Sequence, residues 1–162
     1  MMENPILQRR AVRKYASTPV AGPDIEEMVA AFEAAPCGMH QVEGMQATVV
    51  TDEALLKKVA TASSNACYGA PLLFVISAKK TSPFGDRDAS AAAENVMVQA
   101  AALDLGSVYV MSGAQVLNGH PNLLKELGVD DGYAVTVIVA IGHPAGKVDT
   151  PDRTHRYKLV RR

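Results

Sequence analysis

The sequence predicts an α/β or α+β fold with helices on both faces of a sheet, and three observations carry that expectation. Residues 72–77 and 133–141 are near-continuous apolar runs, which suit strands buried on both faces. Segments of helical spacing alternate with β-branched runs along the whole chain. Between Asp88 and Leu105 stand seven alanines with Val96, Met97, Val98 and Leu103, so this stretch has almost no polar face and belongs at the centre of the fold.

The elements follow in order. Asn4 caps a short helix over residues 4–9 whose first turn accommodates Pro5. Residues 10–21 form an extended connection, punctuated by Pro19 and Pro23. From Asp24, the apolar set Ile25, Met28, Val29 and Phe32 recurs at i, i+3, i+4 and i+7 behind an acidic first turn, which predicts an amphipathic helix ending near Pro36. Residues 36–41 contain Gly38 and have no period, so they read as a loop. Residues 46–51 predict a strand, and Asp52-Glu53 open a helix with Leu55, Leu56 and Val59 on one side, broken by Ser63-Ser64-Asn65. After the strand at 72–77 comes a surface loop, 79–87, from which Asp86 or Asp88 caps the alanine-rich helix running to about Leu105. A strand at 107–111, a helix at 121–127 closed by Gly128, and the strand at 133–141 complete the pattern. The tail from His143 carries Pro144, Pro151 and a basic end. Residues 1–162 therefore read as one domain, without repeats or low-complexity segments.

Composition sets the bounds. A chain of 162 residues with 48% hydrophobic and 20% charged residues has the make-up of a globular protein, and at that size folding buries roughly 68–70% of the unfolded surface. A net charge of −1 and a pI near 6.4 give no reason to expect a nucleic-acid partner. The first residues lack an apolar h-region, and the longest apolar stretch, 134–141, is far too short to cross a bilayer. A soluble, cytoplasmic protein without a membrane partner is the expectation. Cys37 and Cys67 read as free thiols.

Against that neutral background, residues 8–15 place four cations in six consecutive positions, Arg9, Arg10, Arg13 and Lys14. Guanidiniums are permanently charged forks that match phosphate geometry, and one charge-assisted hydrogen bond is worth roughly 1.5–3 kcal/mol. A phosphate-bearing ligand is the natural guest; spacing alone leaves open a solvated face or arginines paired with carboxylates. Other chemistries find no support. Neither a Gly-x-Gly-x-x-Gly nor a Gly-x-x-x-x-Gly-Lys occurs. Cys37-x-x-His40 lacks a second pair to make a metal site, and Gly-x-Ser-x-Gly is missing. Histidines 40, 120, 143 and 155 read as surface or loop residues, and Met39, Met45, Met97 and Met111 as core gap-fillers. Without an acid, base or nucleophile set, the pattern is compatible with chemistry supplied by a cofactor.

The run Arg9-Arg10-Ala11-Val12-Arg13-Lys14-Tyr15, followed by Thr18-Pro19-Val20, resembles the opening of the FMN-dependent nitroreductase family. The turn Ala34-Ala35-Pro36-Cys37-Gly38-Met39-His40, the strand entry Ala70-Pro71-Leu72-Leu73-Phe74-Val75, Ala93-Glu94-Asn95 with Leu105-Gly106-Ser107, Gly142-His143-Pro144 and Arg153 resemble further family stretches in the same order. The resemblance implies a nitroreductase-like α+β fold with α/β-like layers: a central mixed sheet flanked by helices, in an intertwined homodimer. The alanine-rich helix would pack against its twin, and the tail from about 143–162 would reach the partner subunit. It implies an FMN-dependent oxidoreductase that passes hydride from NAD(P)H through flavin N5 to a small electron-poor acceptor, such as a nitroaromatic or quinone, by a ping-pong scheme. The alternative is a flavin- or phosphate-ligand-binding dimer without efficient turnover. On the same basis Arg9 would hold the FMN phosphate, with Arg10 beside it and Arg153 closing from the tail. Arg13 would lie near N1 and O2, and Met111, Ser112 and Gly113 would offer backbone groups toward N5. Pro36, Cys37 and His40 would reach the flavin of the opposite subunit. No side chain is implied as a catalytic acid or base. Ala11 stands where the family has serine, a contact of about 1 kcal/mol forgone. Cys37 and His40 replace serine and asparagine, and the short stretch before residue 121 implies an open, shallow active site.

Overall fold

Every residue from Leu72 to Ala78 is buried, and the strand they form, with Lys79, is the pivot of the computed structural model, which describes residues 4–149 and 152–162. In chain order the helices are α1 (Pro5–Gln8), α2 (Gly22–Glu33), α3 (Glu53–Ala62), α4 (Gly85–Ala102), α5 (Ser112–Leu117) and α6 (Pro121–Glu126). The strands are β1 (Met45–Val50), β2 (Leu72–Lys79), β3 (Gly106–Val110) and β4 (Tyr133–Gly142). The sheet order is β1-β2-β4-β3.

All three pairings are antiparallel, which corrects the expected mixed sheet. The reason lies in the connections. β2 and β3, joined through α4, do run in the same direction, as a β-α-β unit requires, but β4 inserts between them and pairs antiparallel with both. The parallel component among the described residues is a single bridge, Ala11 to Ser107.

Strand alternation sends two apolar sets to opposite faces. Leu72, Phe74, Ile76, Val137, Val139 and Ile141 pack with Met28 of α2 and with Ala89, Ala92, Ala93, Val96 and Ala100 of α4. Leu73, Val75, Val108, Val110, Ile138 and Ala140 pack with Val59 of α3, Ala114 and Leu117 of α5, and Leu123 of α6. The result is three layers, α2/α4 over the sheet over α3/α5/α6. On β4 the register shifts between the partners of Ile76 and Ser77, leaving Thr136 as an extra residue. That bulge reverses the alternation, so Val135 joins the α3/α5/α6 side although Val137 faces α4.

Several boundaries sharpen. Asp52 caps α3, its carboxylate accepting the Leu55 N–H at 2.8 Å. α2 starts earlier than expected, at Gly22 with Pro23 in its first turn, and ends at Glu33. α4 takes no side-chain cap from Asp86 or Asp88; it begins after Phe84, and Asp88 turns inward. α5 is a helix the sequence pattern does not separate from the loop around it, because six residues hold less than two turns. Of the methionines expected in the core, Met97 is buried, but Met39 is 78% and Met111 57% exposed.

Candidate functional site

The basic segment is built onto the open edge of the sheet. Asn4 accepts the Ile6 N–H through its side chain at 3.0 Å and starts α1, whose end releases Arg9. The chain then runs beside β3: the Val12 N–H donates to the Ser107 carbonyl at 2.9 Å. Further on, the Ala16 N–H donates to His143 and the Ala145 N–H to Lys14, at 2.8 and 3.0 Å. In this extended segment Val12 faces inward and is buried, while Ala11 and Arg13 are exposed. Gly106 makes that approach possible, since a Cβ there would stand 2.7–2.8 Å from three side-chain atoms of Val12. Below, the Tyr15 hydroxyl reaches the carbonyls of Val12 and Ala140 at 2.7 and 3.0 Å. Burial pushes the Tyr15 phenol well above its ordinary range, and nearby Cys67 adds to the effect.

Three arginines converge. Arg153 from the tail donates to the Arg9 carbonyl at 2.7 Å and to the Leu7 carbonyl at 3.3 Å. The Arg9 Nε lies 3.3 Å from Glu94 Oε1, which projects from the middle of α4. Burial lowers the Arg10 pKa from its ordinary value; the cations of Arg153 and Arg9 lower it further, against the pull of Asp149. A cleft of about 210 Å³ opens here, lined by Arg9, Arg10, Ala101, Gly106, Ser107 and Pro144. A second, of about 500 Å³, shares Arg10, Val12, Pro144 and Val148 with it and adds Arg13 and Lys147. The tail therefore returns to α1 of its own chain at Arg153, while Tyr157, Leu159 and Val160 beyond it are exposed.

Arg13 points to the other wall. Its guanidinium carbon lies 6.0 Å from the centroid of the Tyr68 ring. Tyr68 belongs to the loop 63–70, in which Ser64, Asn65, Tyr68 and Gly69 all have positive φ. The same loop packs on Gly113, where an added Cβ would stand 3.3 Å from the Ala66 Cβ and 3.2 Å from Val110 Cγ1. Arg13 and residues 111–113 are thus linked through a segment that carries no motif.

Residues 36–40 are elsewhere. The Gly38 N–H donates to both carboxylate oxygens of Asp88, at 3.0 and 3.1 Å, and a Cβ on Gly38 would fall 2.3 Å from the Phe84 ring. Met39 and His40 follow with φ of 51° and 57°. Asp88 sits in the first turn of α4 and Ala101 near its end, so at 1.5 Å per residue roughly 20 Å of helix separates this turn from the arginine cleft. Within one chain, Pro36, Cys37 and His40 do not join Arg9, Arg10 and Arg153.

Sequence reasoning missed Glu94, Asp88, Tyr15 and Tyr68 as site-building groups. A carboxylate on an otherwise small-residue helix is a signal for Glu94 and Asp88; nothing local marks Tyr68. A larger cleft, about 770 Å³, lies between α3 and α6, lined by Lys57, Lys58, His120 and Glu126, apart from the arginines. Among the described residues no cluster of three His, Cys, Asp or Glu could hold a metal ion, and no helix is long and apolar enough to cross a membrane. Cys37 and Cys67 are free thiols.

Fold and site together define a three-layer α+β protein with a cationic cleft at the open edge of its sheet. The chain belongs to the nitroreductase family, whose sequence model matches residues 61–143. A protein of Archaeoglobus fulgidus named for NADH dehydrogenase/NAD(P)H nitroreductase is 29% identical, over 94% of this chain and 95% of its own. Among solved structures, a nitroreductase with bound FMN from Bacteroides fragilis superposes with a TM-score of 0.83 at 22% identity, covering 97% of each chain. Another nitroreductase with bound FMN, from Desulfitobacterium hafniense, gives 0.84 at 18% identity, over 99% of this chain and all of that one.

Proposed function

We propose that this single-domain chain is an FMN-dependent NAD(P)H oxidoreductase, and the observation that carries the reading is that Arg9 and Arg10 line one cleft while Arg153 binds the backbone of residues 7 and 9 behind it. Two guanidiniums side by side suit a doubly charged phosphate, and FMN has one. Arg9 and Arg10 would hold that phosphate, with Arg153 fixing the backbone they hang from. Arg13, exposed further along the same edge, would face N1 and O2. Bound FMN would supply the hydride-accepting N5 that links NAD(P)H to an electron-poor acceptor such as a nitroaromatic or quinone in alternating half-reactions. The chain's own part is to bind, orient and polarise. A fixed cation beside the ring edge where negative charge gathers stabilises the reduced form without reorganisation. Main-chain groups of Met111, Ser112 and Gly113, held by the loop 63–70, would border the ring on its other side.

A homodimer completes the reading. The outward strip of α4, with Ala91, Val98 and Ala102, lies beside α1, where Ile6 and Leu7 are 60% and 63% exposed. Burying this strip against a second copy would remove apolar surface from water. It would also let Pro36, Cys37 and His40, remote from the arginines of their own chain, approach those of the partner, and the exposed end of the tail would lie against the same partner.

The test is a visible spectrum after FMN loading and removal of free flavin, followed by anaerobic NADH or NADPH. Retained flavin that bleaches with either donor is the expected result. Retained flavin that stays oxidised with both would leave a binding protein without turnover, and a colourless protein would remove the cofactor assignment. Sedimentation at micromolar concentration checks the dimer.

A further inference from the structure

Tyr68 holds a bulky side chain on a left-handed backbone, φ 58°, beside Gly69, which has the same sign and pays no steric cost. For a ringed residue such a backbone is an outlier, and strain of this kind persists where the surroundings enforce it. The ring is not used as core filling, since Tyr68 is 40% exposed. Its face is turned to the guanidinium of Arg13 at 6.0 Å, within the range of a cation–π contact. Arg13 itself is exposed, and a long exposed side chain has many rotamers to lose before it can act at a defined atom. The loop that carries Tyr68 is meanwhile fixed on its far side by Ala66 against Gly113.

We infer that Tyr68 is a positioning residue: its strained backbone presents the ring as a platform that holds the Arg13 guanidinium at the ring edge of the bound flavin. The inference rests on the FMN reading above. A residue tolerant of positive φ would relieve the strain and remove the platform together. The chemical consequence is selective. A cation held in place favours the reduced, negatively charged flavin over the neutral oxidised one, so losing the platform lowers the flavin midpoint potential more than it weakens FMN binding.

Two substitutions separate this from a merely structural role. Tyr68→Asn removes the ring and suits the left-handed backbone; Tyr68→Phe keeps the ring face and loses only the hydroxyl. The expected result is that Tyr68→Asn has a urea midpoint equal to or above that of the parent protein and retains FMN. Its affinity for reduced over oxidised FMN should fall about tenfold, a drop of about 30 mV for a two-electron couple. Tyr68→Phe should restore the parent potential. In an Arg13→Ala background, Tyr68→Asn should add nothing further, since the two residues act as one unit. An unchanged potential in Tyr68→Asn with FMN retained, or an equal drop with and without Arg13, would overturn the inference while leaving the cofactor reading intact. Failure of the parent protein to retain FMN would instead overturn that reading itself, so the two failures are distinct.

Discussion

Two segments flank the cationic edge, and they are held by opposite means. Residues 9–16 are extended, lie beside β3 and the end of β4 through backbone hydrogen bonds, and are seated by the small residue Gly106. Residues 63–70 have four positive φ values and are seated by side-chain packing on Gly113 and by Tyr68 beneath Arg13. The first segment spends ordinary strand geometry and so leaves its trace as a sequence pattern, cations around an inward valine. The second relies on backbone strain, for which no residue alphabet beyond glycine and asparagine gives a sign. The charge of this site is local in sequence, whereas its shape is not.

The sharpest way to break the first segment is Gly106→Val. Its Cβ would meet Val12 at 2.7 Å, so residues 9–13 must leave the β3 edge, and overpacking of this kind costs about 3 kcal/mol. A large drop in the urea midpoint together with loss of FMN retention is expected; an unchanged midpoint would contradict the seating described here.

Alkaline pH probes the ground between the two segments. Burial raises the Cys67 thiol from near 9 to about 11, and the Tyr15 phenol is raised too. Both stay protonated in the fold after the unfolded chain has begun to lose those protons. Their stabilising effect is therefore complete below about pH 9 and declines as pH rises toward 11, by about 2–3 kcal/mol for the thiol. Denaturation midpoints measured across that window should fall, and Cys67→Ala should flatten the first part of the decline.

Arg9→Ala removes charge without disturbing the strand pairing. FMN affinity should weaken about 10- to 100-fold, the range for one charge-assisted contact of about 1.5–3 kcal/mol. Stability should change by less than about 1 kcal/mol, because its pairing with Glu94 is half exposed. Equal losses of affinity and stability would mean that Arg9 serves the fold instead. Tyr15→Phe should cost about 1 kcal/mol by leaving the Val12 and Ala140 carbonyls one donor short, read as a modest fall in melting temperature. The smallest effect belongs to the strained loop: Ser64→Asn, at φ 51°, should raise stability by about 0.5 kcal/mol with FMN binding unchanged. A loss there would show that the serine side chain has a role its backbone conformation does not reveal.

Layers and charge are legible in the residues alone. β-branched and apolar runs with period two or no polar positions can be buried only in a covered sheet, and the alanine-rich stretch can only be a central helix. The four cations of residues 9–14 are visible because a cluster in a chain of net charge −1 stands out. Tertiary structure decided the rest. That the sheet is antiparallel follows from β4 entering between β2 and β3, a choice that strand patterning does not encode because both arrangements bury the same faces. That Asp88 clamps Gly38 instead of capping α4, that Glu94 meets Arg9, and that Tyr68 lies under Arg13 are contacts spanning 50 or more residues of chain. Periodicity reports only which face a residue shares with its near neighbours, so partners brought together by the packing of separate elements leave no local mark.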